Sequence, residues 1–244
     1  MRATHVVVCA DGLRTPQLLF ASGVRPPALG RHLNEHLQMV SFVRLNDEFS
    51  PGAFPGDTAY GYVLVPFSDE RPIQGRAMAL ASSPFRAAFV DQPGSSRLGM
   101  VAWYGSKDLQ PDDAVELSET ETDCYGMPRM SIRYRFTERD LATIEEMRRL
   151  SLRSAAVIGT LAEEPALATG GASLHYQGTV RMGETDDGSS VCDEHLRVWG
   201  VDNLYVGGNG VIPTSTASNP TLTTVALAWR AACRVASALA APTD

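Results

Sequence analysis

No Gly-x-Gly-x-x-Gly run occurs anywhere in the chain, so the sequence carries no dinucleotide-binding fingerprint. Cysteine is sparse: four residues (Cys9, Cys124, Cys192 and Cys233), none at metal-ligand spacing. That excludes a disulfide scaffold and a thiolate metal site, and a reducing compartment is expected. No apolar run is long enough to span a bilayer. Val6 to Cys9 is only about four residues, too short for a signal-peptide core, and Arg230 and Arg234 interrupt the Ala-rich C-terminal stretch. No charge of one sign dominates, since 21 Lys plus Arg against 28 Asp plus Glu give a formal charge of −7. A nucleic-acid or anionic-membrane surface is thereby disfavoured. What remains is an expectation of a soluble, cytoplasmic protein with no metal site. Its 244 residues are 44% apolar and 20% charged, enough to bury a sizeable core.

The chain opens on Val6-Val7-Val8-Cys9, a continuous β-branched run of the kind buried on both faces in a parallel sheet. Ala10-Asp11-Gly12 reads as a tight turn, and Thr15-Pro16 as the start of a short helix ended by Ser22-Gly23. A lone strand of this type needs neighbours, and no similar strand–turn–helix unit follows soon. The texture then changes. Gln38–Leu45, Tyr60–Pro66, Arg76–Ala81, Arg97–Tyr104 and Met130–Phe136 read as strands of an antiparallel sheet with one covered face. Thr137-x-x-Asp140 resembles a capping box opening a long helix, with Leu141, Ile144, Met147, Ser151, Ala155 and Ile158 on one face. A strand at Leu204–Val206 and a final helix from Pro220 close the chain.

Two segments carry unusual chemistry. The first is Ser173-Leu174-His175-Tyr176-Gln177-Gly178-Thr179-Val180-Arg181-Met182-Gly183. The second runs from Asn203 to Thr214, with Gly207-Gly208-Asn209-Gly210 directly after the short strand, and continues through Asn219-Pro220-Thr221-Leu222-Thr223. Glycines after a strand let backbone approach a ligand closely. Asn followed by Pro is a helix start whose free amides and dipole attract negative charge. Taken singly, each segment is better served by a bland account: a loop histidine, a capping Asn, glycines that turn the chain.

Together the two segments resemble the C-terminal signature of the glucose–methanol–choline (GMC) family of flavoenzymes, where His-x-x-Gly-Thr-x-x-Met-Gly precedes a strand, a Gly-rich turn and Asn-Pro. The likeness is closest to the pyranose oxidase and glycoside oxidase branch, since Gly208 stands where the wider family usually has Asp. The opening strand–turn–helix and Gly126-Met127-Pro128 fit the same family. The resemblance implies an α/β (α+β) fold: residues 1–24 and 173–244 completing a Rossmann-like FAD-binding domain around a substrate-binding domain at 25–172. Because the dinucleotide fingerprint lies elsewhere in that family, it also implies a C-terminal half, completed by a second polypeptide.

By that resemblance His175 is the catalytic base and Asn219 its partner in an FAD-dependent oxidation of a secondary hydroxyl of a sugar or glycoside. Oxygen or another acceptor takes the electrons. Ala10, Asp11, Gly207, Gly208, Asn209, Gly210, Pro220, Thr221 and Leu222 are the candidate cofactor contacts, with Asp11 replacing an expected Gly. Tyr176, Gln177 and Trp103 are candidate substrate contacts, Trp103 by stacking or as a core residue. His32 and His36, four residues apart, read as structural because no third zinc ligand is evident. Ser82–Arg86 is a candidate substrate loop. The alternative from a different class is a non-catalytic homologue serving as a sugar-binding or scaffold module.

Overall fold

The computed structural model describes residues 3–49, 62–70, 72–79 and 97–240. In chain order the main elements are β1 (Val6–Val8), α1 (Asp11–Ala21), β2 (Leu37–Leu45), β3 (Tyr62–Val65), β4 (Ile73–Ala79), β5 (Leu98–Gly105), β6 (Ala114–Thr122) and β7 (Pro128–Arg133). There follow α2 (Glu138–Ile158), β8 (Gly159–Leu161), β9 (Ala166–Leu167), β10 (Leu204–Val206) and α3 (Thr221–Ala240). They form two compact units. One comprises residues 1–35, 108–135 and 174–244, the other residues 36–107 and 136–173. The middle of the chain is therefore not one block from 25 to 172, because 25–35 and 108–135 belong with the first unit.

In the first unit β1 lies parallel to β10, with Val6, Val7 and Val8 opposite Leu204, Tyr205 and Val206. Gly207 continues the ladder by donating to the Val8 carbonyl at 2.9 Å. The double burial expected of β1 is not met within this chain: Val6 and Val7 are 42% and 55% exposed. Helix α1 begins at Asp11, earlier than the Thr15-Pro16 start read from sequence, so Pro16 lies inside it. A proline has no N–H, which leaves the Gly12 carbonyl without its helical donor. The Thr179 hydroxyl supplies that bond instead. Asp11 adopts φ 66°, and its carboxylate accepts from the Leu13 and Arg14 amides at 2.6 and 2.9 Å. Asp is among the few residues that visit this region readily, so it substitutes for glycine here.

Strands β6 and β7 form a hairpin of their own. This corrects the reading of Met130–Phe136 as part of the large sheet. Mostly exposed Glu, Ser and Thr along β6 hide the apolar alternation that would have marked it as a strand. The Asp123 carboxylate shapes the tip by accepting from Tyr125 and Met127, with Gly126 at φ 77°. The hairpin packs on α1, where the Gln17 amide donates to the Pro128 carbonyl at 2.8 Å. Leu19, Val180, Val191, Cys192, Leu196, Val198, Val206 and Val211 make this unit's core. Along α3, Leu222, Val225 and Trp229 are 82%, 59% and 73% exposed and share one helical stripe.

The second unit is an antiparallel sheet in the order β3-β4-β5-β2-β8, with β9 also on β2. Helix α2 covers one face, as the alternation in β2 requires: Leu37, Met39 and Val43 pack with Val101, Met147, Leu150 and Ala155. Its capping box is complete, with Thr137 accepting from the Asp140 amide and Asp140 from the Thr137 amide. Among the described residues no helix is long and apolar enough to cross a membrane.

Candidate functional site

His175 stands on a loop held down on two sides within the first unit. On one side the loop runs beside the Gly-rich turn after β10: Val180 donates to the Gly210 carbonyl at 3.0 Å and Met182 to Val211 at 2.9 Å. Close approach explains the glycines. A side chain at Gly210 would stand 2.9 Å from the Val180 methyl, and one at Gly12 would stand 2.8 Å from the Tyr176 carbonyl oxygen. On the other side Asn34 and Gln177 form an isolated antiparallel bridge, exchanging bonds of 3.1 and 2.8 Å. Gly178, at φ 87°, abuts the His32 carbonyl so closely that no side chain fits.

The electrostatics keep His175 neutral at physiological pH. Its half-buried imidazole is held below the usual 6.5 by desolvation, and the nearby Glu35 carboxylate opposes this more weakly. The Tyr176 phenol is pushed up by burial, then by Glu35 and Asp11, and stays protonated. Behind the loop, Arg181 lies 3.0 Å from His32 Nδ1. Burial, then Arg181 and Arg31, lower the His32 pKa to about 4, so this ring is a neutral acceptor for the guanidinium.

Asn219 belongs to the same unit and is exposed, and its side chain makes no hydrogen bond among the described residues. It precedes α3, whose first helical bond runs from the Thr224 amide to the Pro220 carbonyl. Pro220 itself is buried, while Thr221 and Leu222 are exposed in the first turn. Gly208 adopts φ 94°, and among the described residues nothing stands within 4 Å of where a side chain would lie. Asn209 is bonded to the Thr224 hydroxyl, which ties the turn to α3. At the opening turn the Ala10 amide is taken by Thr15 Oγ1 at 3.0 Å, and Asp11 occupies the amides that follow. Those donors are internally satisfied and not free for a ligand.

Two expected substrate contacts are corrected. Gln177 is fully buried, and its amide donates to Thr216 Oγ1 at 2.9 Å. Trp103 is 4% exposed in the core of the second unit, where its ring covers Gly75. The loop Ser82–Arg86 lies outside the described residues. Asn34, Glu35 and Thr216 enter the site without having been anticipated. Their residue types carry no spacing signal, and only the fold brings Glu35 near His175 and joins Asn34 and Thr216 to Gln177.

The GMC oxidoreductase family model matches residues 111–228. The chain is 47% identical to a C-glycoside 3-oxidase of Microbacterium trichothecenolyticum over 249 residues, covering 99% of this chain and 48% of that protein. A pyranose 2-oxidase of Tricholoma matsutake is 30% identical over 274 residues, with 97% and 47% covered. Among solved structures, a formate oxidase of Aspergillus oryzae superposes with a TM-score of 0.68 at 15% identity, covering 93% of this chain and 53% of that one. The chain spans about half the length of the curated relatives it matches.

Proposed function

The chain carries the C-terminal module of the GMC oxidoreductases, and from that premise we propose that it forms the catalytic half of an FAD-dependent sugar oxidoreductase. The reaction oxidises a secondary hydroxyl of a sugar or glycoside to a ketone. The observation that carries this reading is His175: a neutral, half-buried imidazole on a loop fastened to the Gly-rich turn and leading, through Gln177, to the segment bearing Asn219.

Losing a hydride makes the substrate hydroxyl acidic, and a base must take its proton at the same time. The neutral His175 imidazole accepts that proton from the substrate oxygen. The free Asn219 amide donates to the same oxygen and steadies the negative charge developing on it. Burial keeps the base unprotonated below its ordinary pKa, so it is available throughout the neutral range. GMC oxidoreductases are FAD-dependent, and bound FAD would supply the hydride acceptor. The residues here fit such a group. Gly208 presents open backbone, and the exposed first turn of α3 offers amides and the positive end of a dipole over a helix of 20 residues. Gly207, Gly208, Thr221 and Leu222 would line it.

The nucleotide half is supplied by a second polypeptide. Supporting this are the exposed β1 valines, the apolar stripe of Leu222, Val225 and Trp229, and the half-length match to the relatives. A sugar or glycoside substrate is supported by the relatives' names, a C-glycoside 3-oxidase and a pyranose 2-oxidase. Its location is the cytoplasm, in keeping with its four free cysteines. Native mass together with the visible spectrum of the protein from its source tests the reading. A yellow complex heavier than one chain is expected. A colourless species of single-chain mass that binds sugar would favour the non-catalytic module instead.

A further inference from the structure

We infer that Gln177 is a positioning residue that sets Asn219 relative to His175, and this inference rests on the catalytic reading above. Gln177 is two residues from His175 and its backbone is clamped by both bonds of the Asn34 bridge. Its side chain is fully buried, so it does not touch substrate. The amide donates to Thr216 Oγ1 at 2.9 Å, and that hydroxyl donates to the Ser218 carbonyl at 3.1 Å. Ser218 is joined directly to Asn219. Two hydrogen bonds thus run from the base-bearing loop to the residue before the oxyanion donor, 39 positions away in sequence between Gln177 and Thr216.

The Asn219 side chain has no hydrogen bond of its own within the described residues. Its place depends on the backbone that carries it, and Thr216 fixes that backbone. The Gln177 side-chain oxygen, by contrast, has no donor among the described residues. An apolar residue of similar volume would fill the same space. What an apolar residue cannot do is hold Thr216. Misplacement of a reacting partner by about 1 Å costs on the order of 100-fold in rate.

The test uses the flavin-containing holoenzyme and anaerobic reduction by a saturating sugar. Gln177→Leu and Thr216→Val are each expected to slow flavin reduction by about 10- to 100-fold, with little change in substrate affinity or thermal midpoint. The double variant should be no slower than the worse single one, and Thr216→Ser should restore the rate to within about threefold. In an Asn219→Ala background, Gln177→Leu should have less than about threefold effect, because the residue it acts through is gone. Multiplicative losses, or an undiminished effect in that background, would overturn the inference. If Gln177→Leu fails to fold, Thr216→Val and Thr216→Ser carry the test alone. His175→Ala separates the two levels. If it leaves reduction unchanged, the catalytic reading fails; if it slows reduction while Gln177 and Thr216 variants do not, only the positioning role fails.

Discussion

Replacing Gly178 by Ala probes how tightly the His175 loop is clamped. Two costs add at this position. Gly178 sits at φ 87°, where an L-residue loses about 1–2 kcal/mol. The added methyl would also overlap the His32 carbonyl and stand 3.1 Å from the Asn34 amide nitrogen. His32 cannot give way easily, since it is itself at φ 58° and bonded to Arg181. Overpacking of this kind typically costs a further 1–3 kcal/mol or so, for a sum of about 2–5 kcal/mol. Gly126 supplies the control: φ 77°, with nothing among the described residues within 4 Å of an added side chain. Gly126→Ala should therefore lose only the conformational part. The assay is urea unfolding of both variants and the parent, read by far-ultraviolet circular dichroism at pH 7. Gly178→Ala should unfold at the lower urea concentration by the equivalent of about 2 kcal/mol relative to Gly126→Ala. Equal midpoints would refute the clamp.

Three further outcomes follow from the same geometry. Thr179→Val should cost about 1–2 kcal/mol in urea unfolding because the Gly12 carbonyl, which Pro16 cannot serve, loses its donor, whereas Thr179→Ser should cost less. Glu35→Gln should shift the acid limb of the flavin-reduction rate to lower pH. The carboxylate stabilises the His175 imidazolium, so without it the base stays unprotonated further into acid; a shift to higher pH would contradict the assignment. His32 is held at about 4 when folded against 6.5 when unfolded, so the unfolded chain binds the extra proton between those values. The stability from this group is complete above about pH 6.5 and is lost as pH falls toward 4. The full gap corresponds to about 3 kcal/mol, reduced by solvent at this half-buried site to about 1–2 kcal/mol. His32→Gln should flatten that acid loss, and an unchanged pH profile would show that His32 does not cause it.

Much of the fold was legible because local rules agree with it. Thr137-x-x-Asp140 announces α2 by the chemistry of its first turn, and the capping box forms as written. The strand Leu204–Val206 stands out because β-branched and aromatic residues end abruptly at two glycines. The His175 segment was found by its pattern, whereas its supports were not. Asn34 and Gln177 meet across more than 140 positions of sequence, a contact that no local periodicity encodes. Trp103 shows the same limit. A strand's alternation says which residues share a face, and only the packing of α2 shows that the face of Trp103 is the covered one. Pro16 inside α1 defied the start rule because its missing donor is made good by Thr179, far along the chain.

The proposed function assigns to His175 the removal of the substrate proton as the sugar is oxidised. The measurement that reaches it most directly is anaerobic stopped-flow reduction of the bound flavin by sugar, in the parent holoenzyme and in His175→Ala. The account predicts a loss of about 10²- to 10⁴-fold in the reduction rate with the flavin spectrum and occupancy retained. A variant that reduces its flavin at the parent rate would contradict it.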